Sequence, residues 1–186
     1  QCKGSNSYGQ LGNGTTTSST SAFVTVDNTD LSSAIDVSVG SDFTCALNGT
    51  GSPWCWGEGK KGRLGNGIGS NPDKATPYAV ITTTVFISIE SGKAHTCALT
   101  STGAIECWGD NTLGQMAEDP SAQASRKSPK IPGDITNEFA GVVLSKVSIG
   151  AESDFTAALL DNGSIAAWGT YNGTQYNDHL VVNSGV

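Results

Sequence analysis

The sequence predicts an all-β protein assembled from repeated four-stranded modules. Three observations predict it. The first is a pattern written three times. Phe43-Thr44-Cys45-Ala46-Leu47 leads to Cys55-Trp56-Gly57, His95-Thr96-Cys97-Ala98-Leu99 leads to Cys107-Trp108-Gly109, and Phe155-Thr156-Ala157-Ala158-Leu159 leads to Ala167-Trp168-Gly169. A partial copy, Cys2-Lys3-Gly4, precedes them. Positions 2, 55, 107 and 167 stand 53, 52 and 60 residues apart, a period that signals a repeat architecture. The second is alternation of apolar and polar residues with period two, as in Val37-Ser38-Val39, the mark of a half-buried strand. The third is composition. Only 15% of the 186 residues are charged, and 24 are glycine, which suits many tight turns.

Each element follows from this pattern. The partial copy, 1–33, ends in a lone strand at 22–26. The first full repeat, 34–84, takes strands at 34–39, 43–48, 53–57 and 78–81. The second, 85–141, takes 85–90, 94–100, 104–109 and a weak strand at 130–135. The third, 142–186, takes 142–149, 155–160, 164–169 and 180–183. Together they form one domain.

Cysteines 45 and 55 are ten residues apart around the turn Asn48-Gly49-Thr50-Gly51-Ser52, and 97 and 107 repeat that spacing. In the third repeat both positions are alanine, so the cysteines come and go as pairs. On facing strands of a hairpin, Cα atoms about 5 Å apart lie within disulfide range. The expected bonds are Cys45–Cys55 and Cys97–Cys107. A four-cysteine zinc site would require close C-x2–4-C pairs, which the sequence lacks. Buried free thiols are the other reading. Cys2 stands without a partner at its expected spacing. Paired cysteines imply an oxidising compartment, so the protein is expected to be secreted or on a cell surface, or periplasmic if bacterial. The sequons at Asn13, Asn48, Asn162 and Asn172 are compatible with glycosylation. Each is also an Asn-Gly turn dipeptide.

A net charge of −7 argues against nucleic acid and anionic membranes. No run of 18 apolar residues exists, so no transmembrane helix is expected. The chain begins at Gln1 in mid-repeat, as a processed form or a piece of a longer protein would.

After each Trp-Gly comes a glycine-rich loop: Gly4-Ser5-Asn6-Ser7-Tyr8-Gly9-Gln10-Leu11-Gly12, then Gly57-Glu58-Gly59-Lys60-Lys61-Gly62-Arg63-Leu64-Gly65, then Gly109-Asp110-Asn111-Thr112-Leu113-Gly114-Gln115-Met116. With the strand Gly92-Lys93-Ala94-His95-Thr96-Cys97-Ala98-Leu99, these loops resemble the RCC1-like repeat, W-G-x-N-x-x-G-Q-L-G preceded by G-x-x-H-T-x-A-L. The resemblance covers nearly the whole chain, and the last copy drifts after Trp168-Gly169. It implies a β-propeller with four-stranded blades. Rings of this family usually have seven blades. Three full repeats and a partial one therefore imply further blades or subunits to complete the ring.

No constellation points to catalysis. Gly57-Glu58-Gly59-Lys60-Lys61-Gly62 matches G-x-G-x-x-G, but turn-like residues follow and the other copies share the loop, so no cofactor is expected. His95 occupies a position held elsewhere by Phe43 and Phe155, which marks a packing site. No G-x-S-x-G elbow or metal-ligand spacing occurs. The chain therefore reads as a non-enzymatic extracellular scaffold that binds a protein or glycan through its loops. The alternative is a structural subunit of an extracellular filament, sheath or surface appendage. Candidate contacts are Tyr8 and Trp54, which do not repeat, and two basic segments, Lys60, Lys61 and Arg63, then Arg126, Lys127 and Lys130 in the long connection 117–132.

Overall fold

A computed structural model describes residues 1–27, 29–31, 33–68, 72–132, 143–150, 152–171 and 174–176. The chain is all-β, with three four-stranded antiparallel blades and a two-stranded partial one. The partial blade is β1 (Cys2–Gly4) and β2 (Ser19–Val24). The first blade contains β3 (Asp36–Val39), β4 (Phe43–Leu47), β5 (Pro53–Gly57) and β6 (Lys74–Ala79). The second contains β7 (Ser88–Ser91), β8 (His95–Leu99), β9 (Ile105–Asp110) and β10 (Ser125–Lys130). The third contains β11 (Leu144–Ile149), β12 (Phe155–Leu160), β13 (Ile165–Tyr171) and β14 (Thr174–Tyr176). Within each blade the strands pair in chain order. Among the described residues no helix is long and apolar enough to cross a membrane.

The outermost strands depart from the sequence expectation. The strand at 22–26 is neither alone nor at those bounds, because β2 starts at Ser19 and pairs with β1. The fourth strand of the first blade is Lys74–Ala79, not 78–81, and that of the second is Ser125–Lys130, not 130–135. Both contain proline and lysine, Pro77 with Lys74 and Pro129 with Lys127 and Lys130, residues that lower β-propensity. An edge strand tolerates proline because its missing N–H can face away from the ladder. The expected strand at 180–183 lies outside the described residues.

Hairpin register places the cysteines. Cys45 sits opposite Cys55 and Cys97 opposite Cys107. Both pairs are disulfide-bonded, with Cα atoms 4.1 Å apart. The zinc and free-thiol readings therefore do not apply to these four. In the third blade Ala157 faces Ala167 at the same register.

The cores lie between blades. Cys45, Cys55 and Leu47 of the first blade pack with Ile89, Ala98 and Trp108 of the second. Cys97, Cys107 and Leu99 of the second pack with Val147, Ala158 and Trp168 of the third. One contact recurs at every junction. Trp56 Nε1 donates to the Gln10 carbonyl (2.9 Å), Trp108 Nε1 to the Arg63 carbonyl (3.1 Å) and Trp168 Nε1 to the Gln115 carbonyl (2.8 Å). The loop after one Trp-Gly is thus latched to the indole of the next blade. Two residues past the carbonyl stand Gly12 and Gly65, both with positive φ. A Cβ on Gly12 would lie 2.7 Å from Trp56 Nε1, and one on Gly65 3.0 Å from Trp108 Nε1. In the third loop Ala117 occupies this place at φ 48°.

The first strands of the blades lie side by side, β3 next to β7 and β7 next to β11. Asp36 Oδ2 accepts from the Ile89 amide and Ser38 Oγ from the Ser91 amide, both at 2.8 Å. Among the described residues the outward face of β3 has no such cover. Val37 is 61% exposed, whereas Ile89 and Val147 at the same repeat position are each 1% exposed.

The alanine pair in the third blade shows that the hairpin closes without sulfur. The double variant Cys97→Ala/Cys107→Ala should therefore fold to the same β spectrum. It should lose about 2–4 kcal/mol of stability in denaturant unfolding. A single Cys97→Ala change leaves Cys107 as a buried unpaired thiol, which thiol titration should detect only once the protein is unfolded in denaturant.

Candidate functional site

Two kinds of loop meet on one rim: those joining the first and second strands of each blade, and those following Trp-Gly. Between them lies a cavity of about 460 Å3. Ser41 and Asp42 come from the β3–β4 loop, Lys93 and Ala94 from β7–β8, and Glu152 and Asp154 from β11–β12. Glu58, Lys61 and Arg63 follow β5, and Asp110, Thr112 and Leu113 close β9 and its loop. All three full blades contribute.

The lining is charged and internally paired. Glu58 is buried and takes two cations, Arg63 and Lys60 (2.8 Å). Lys61 spans two blades to reach Asp110 at 2.6 Å. Its side chain is 49% exposed and that of Asp110 only 7%. Lys93 stands 3.8 Å from Asp154, which also accepts from Gln115 Nε2 at 3.2 Å. The Ser41 hydroxyl donates to Glu152 Oε2 at 3.0 Å, linking the first blade to the third. Lys61 adopts the left-handed region, at φ 57°, a strained conformation for a side chain of this size.

The cavity forms where the repeat is least regular. In the first and third glycine-rich loops an asparagine holds the loop. Asn6 Oδ1 accepts from the Leu11 amide (2.8 Å) and Asn111 Oδ1 from the Met116 amide (2.9 Å). Their amide groups donate to Thr15 and Thr17, and to Glu118 and Gln123, carbonyls. In the second loop the position is Gly59, so that latch is missing. Asp73 Oδ1 instead accepts from the Gly59 amide (2.9 Å), and Arg63 donates to the Lys60 carbonyl (3.0 Å) while pairing with Glu58. Arg63 stands where the other loops carry Gln10 and Gln115. An ion pair has thus replaced an amide latch.

The sequence candidates divide. Lys60, Lys61 and Arg63 do lie in the loop, but Arg63 is buried in its ion pair. Tyr8 and Lys60 come together, the ammonium 5.8 Å from the ring centre. Glu58 raises the Lys60 pKa above its ordinary value, through a hydrogen bond and its charge. Arg126, Lys127 and Lys130 are on strand β10 rather than in a loop, and Arg126 Nε donates to Glu118 at 2.8 Å. Trp54 stands apart, opposite Ala46 and Ala79, half-buried, its indole nitrogen enclosed without a hydrogen-bond partner among the described residues. The sequon asparagines Asn13, Asn48 and Asn162 each accept backbone amides two residues on, as turn residues do. Asn172 lies outside the described residues. Sequence reasoning missed Asp42, Glu58, Lys93, Asp110, Glu152 and Asp154. For Glu58 and Asp110 the signal was positional: the residue after Trp-Gly varies as Glu58, Asp110 and Thr170 while the Trp-Gly before it repeats.

Next to Ala94 on this rim comes His95, fully buried between the second and third blades. The Thr156 hydroxyl donates to the Gln115 carbonyl (3.0 Å), so its oxygen accepts from His95 Nε2 (2.9 Å). The ring proton therefore sits on Nε2, and Nδ1 is buried with no partner among the described residues. Burial lowers the His95 pKa from 6.5 to about 4, against a smaller opposing pull from Asp110.

The profile of the Regulator of chromosome condensation (RCC1) repeat matches residues 3–47 and 50–99, and a second profile of that description matches 34–63 and 86–115. The chain is similar to the human E3 ubiquitin-protein ligase HERC2, with 30% identity over 73% of this chain and 3% of that protein. It is also similar to the ultraviolet-B receptor UVR8 of Arabidopsis thaliana, with 30% identity over 73% of this chain and 29% of that one. The chain thus spans a minor part of both relatives. Among solved structures, human WBSCR16 superposes with a TM-score of 0.77 at 19% identity, over 96% of this chain and 46% of that one. Prp20p of Saccharomyces cerevisiae, described with its binding to Gsp1p and histones, gives 0.71 at 20% identity, over 90% and 40%.

A histidine whose folded pKa lies below its unfolded one costs stability as pH falls. The unfolded chain takes up the proton near pH 6.5 and the folded chain only near 4. Stability attributable to this group should fall through that window by about 3 kcal/mol and stay low below it. His95→Phe, which copies Phe43 and Phe155, should fold and lose that slope. Thermal melts of both proteins between pH 7 and 4 check it, and parallel slopes would refute it.

Proposed function

The chain belongs to the Regulator of chromosome condensation (RCC1) repeat family, and on that premise we propose that it is a non-enzymatic binding scaffold working outside the cell, with a protein partner seated on the charged rim. RCC1-like β-propellers commonly serve as binding scaffolds. The observation that carries the reading is the rim cavity. Loops from three blades build it, it holds residues in which the repeats differ, and its exposed Lys61 lies over the buried carboxylate of Asp110. Constant residues serve the blades and varying ones gather at one place, as expected of a scaffold adapted to a partner. The two hairpin disulfides support a secreted, surface or periplasmic location. Further blades or subunits that close the ring would cover the outward face of β3, where Val37 is exposed.

Three measurements test this. In protein isolated from its natural source and then denatured without reductant, Cys45, Cys55, Cys97 and Cys107 should resist alkylation until reduced. Ready alkylation of the denatured, unreduced protein would rule out the oxidising location. On the rim, the charge reversals Lys61→Glu and Glu152→Lys should release partners that the wild-type protein retains from extracellular fractions, with folding unchanged by circular dichroism. If the retained set is unaltered, the rim is not the contact. Ordered polymers in light scattering would instead favour the structural-subunit reading.

A further inference from the structure

The partial blade has two outer strands and, among the described residues, no counterpart to the inner two of the other blades. β1 holds the place of β5 and β9, and Cys2 that of Cys55 and Cys107. Cys55 is flanked by Tyr78 on its outer neighbour and Cys45 on its inner one, and Cys107 by Lys130 and Cys97. Cys2 has Val24 on its outer side, and its inner side is an open strand edge among the described residues. Its thiol is free and half-buried. Beside it a cavity of about 400 Å3 runs to the first blade, lined by residues that include Cys2, Leu11, Phe23, Val39, Phe43 and Thr44.

The two complete junctions show what fills this place. Leu47 and the bonded pair Cys45–Cys55 pack with Ile89, and Leu99 and the pair Cys97–Cys107 pack with Val147. Asp36 and Ser38 of one inner strand hold the Ile89 and Ser91 amides of the next. Covered in this way, Ile89 and Ser91 are each 1% exposed. Val37 and Val39, at the same repeat positions, are 61% and 56% exposed. The surface thus continues an interface that the chain builds twice. Its strand edge, its apolar face and its unpaired cysteine are all in register with the completed copies.

We infer that this surface binds a β-hairpin of a further repeat of the same family, and that Cys2 forms a disulfide with the hairpin's cysteine. The hairpin places one strand over Val37 and Val39. Its other strand adds to the free edge of β1 and has the pattern of Phe43–Leu47 and His95–Leu99. Main-chain bonds along the edge supply affinity, and alternate side chains supply specificity. The hairpin's cysteine falls opposite Cys2, where the existing pairs have Cα atoms 4.1 Å apart. Its leucine, two residues on, covers Val37 as Leu47 covers Ile89. Joining the two thiols releases two protons and two electrons, which glutathione disulfide or a protein disulfide accepts by exchange. The inference rests on the ring completion proposed above and is independent of the partner on the rim.

The probe is a synthetic peptide of residues 87–99 whose Cys97 sulfur carries a thionitrobenzoate group. The Cys2 thiolate of the whole chain attacks the peptide sulfur, the bond to thionitrobenzoate breaks, and the coloured anion leaves. A second peptide has the same composition, the cysteine in the same place and every other residue scrambled. The wild-type chain should react with the strand peptide about tenfold faster than with the scrambled one. The double variant Val37→Lys/Val39→Lys should keep its melting temperature and lose that preference. Equal rates on the wild-type chain would overturn the inference whether or not the variant folds, and so would a preference that survives in the folded variant. In protein isolated from its natural source, peptide mapping without reduction should find Cys2 joined to a cysteine within a strand of the β8 pattern. Cys2 recovered free, or bonded only to a small thiol, would overturn it as well. None of these readouts involves Lys61 or Glu152, so failure here and failure of the rim partner are told apart.

Discussion

The indole-to-carbonyl bond between successive blades is the constraint on which the rest depends. A four-stranded blade is too thin to bury both faces by itself, so each borrows its core from a neighbour. Trp56, Trp108 and Trp168 fill that shared core, and their one polar atom must find an acceptor inside it. The acceptor is the carbonyl of Gln10, Arg63 or Gln115 in the preceding loop. One atom pair therefore sets the loop on the blade, the blade on its neighbour and the small residue two places on. Gly12 and Gly65 obey the steric demand, and Ala117 meets it at positive φ.

With the loops fixed this way, their side chains are free to vary without loss of the ring geometry. The carbonyl makes the latch, so the side chain of the same residue can be glutamine or arginine. Arg63 uses this freedom to bring a cation inward, and Glu58 accompanies it. A buried lone charge would be costly, whereas the pair satisfies itself. Lys61 then lies over Asp110 of the next blade. The charged rim is thus a consequence of backbone-mediated blade contacts, which leave the side chains open to selection for binding.

Much of this was legible in the sequence because it repeats. The inner three strands of each blade, the Cys45–Cys55 and Cys97–Cys107 hairpins and the packing role of His95 all follow from comparing copies. The outer strands were not legible, because solvent relaxes their pattern. Lys74, Pro77, Arg126 and Pro129 read as loop residues in isolation, and only pairing with β5 or β9 makes them strand. The rim cavity was half legible. The basic loop residues stood out by their number, but Asp42, Glu152 and Asp154 are scattered over 113 positions and only the propeller folds them together.

The contrast between the cysteine and alanine pairs shows what sulfur contributes. In the first two blades the half-cystines lie at the junction with the following blade, fully buried. Their disulfides tie β4 to β5 and β8 to β9, and the bonded sulfurs also serve as apolar surface for Ile89 and Val147. Ala157 and Ala167 keep the same register with less volume, so the backbone ladder alone positions the hairpin. The cross-link therefore does not create the blade. It limits the freedom of the unfolded hairpin and fills the joint, and both stabilise a module with few residues per core.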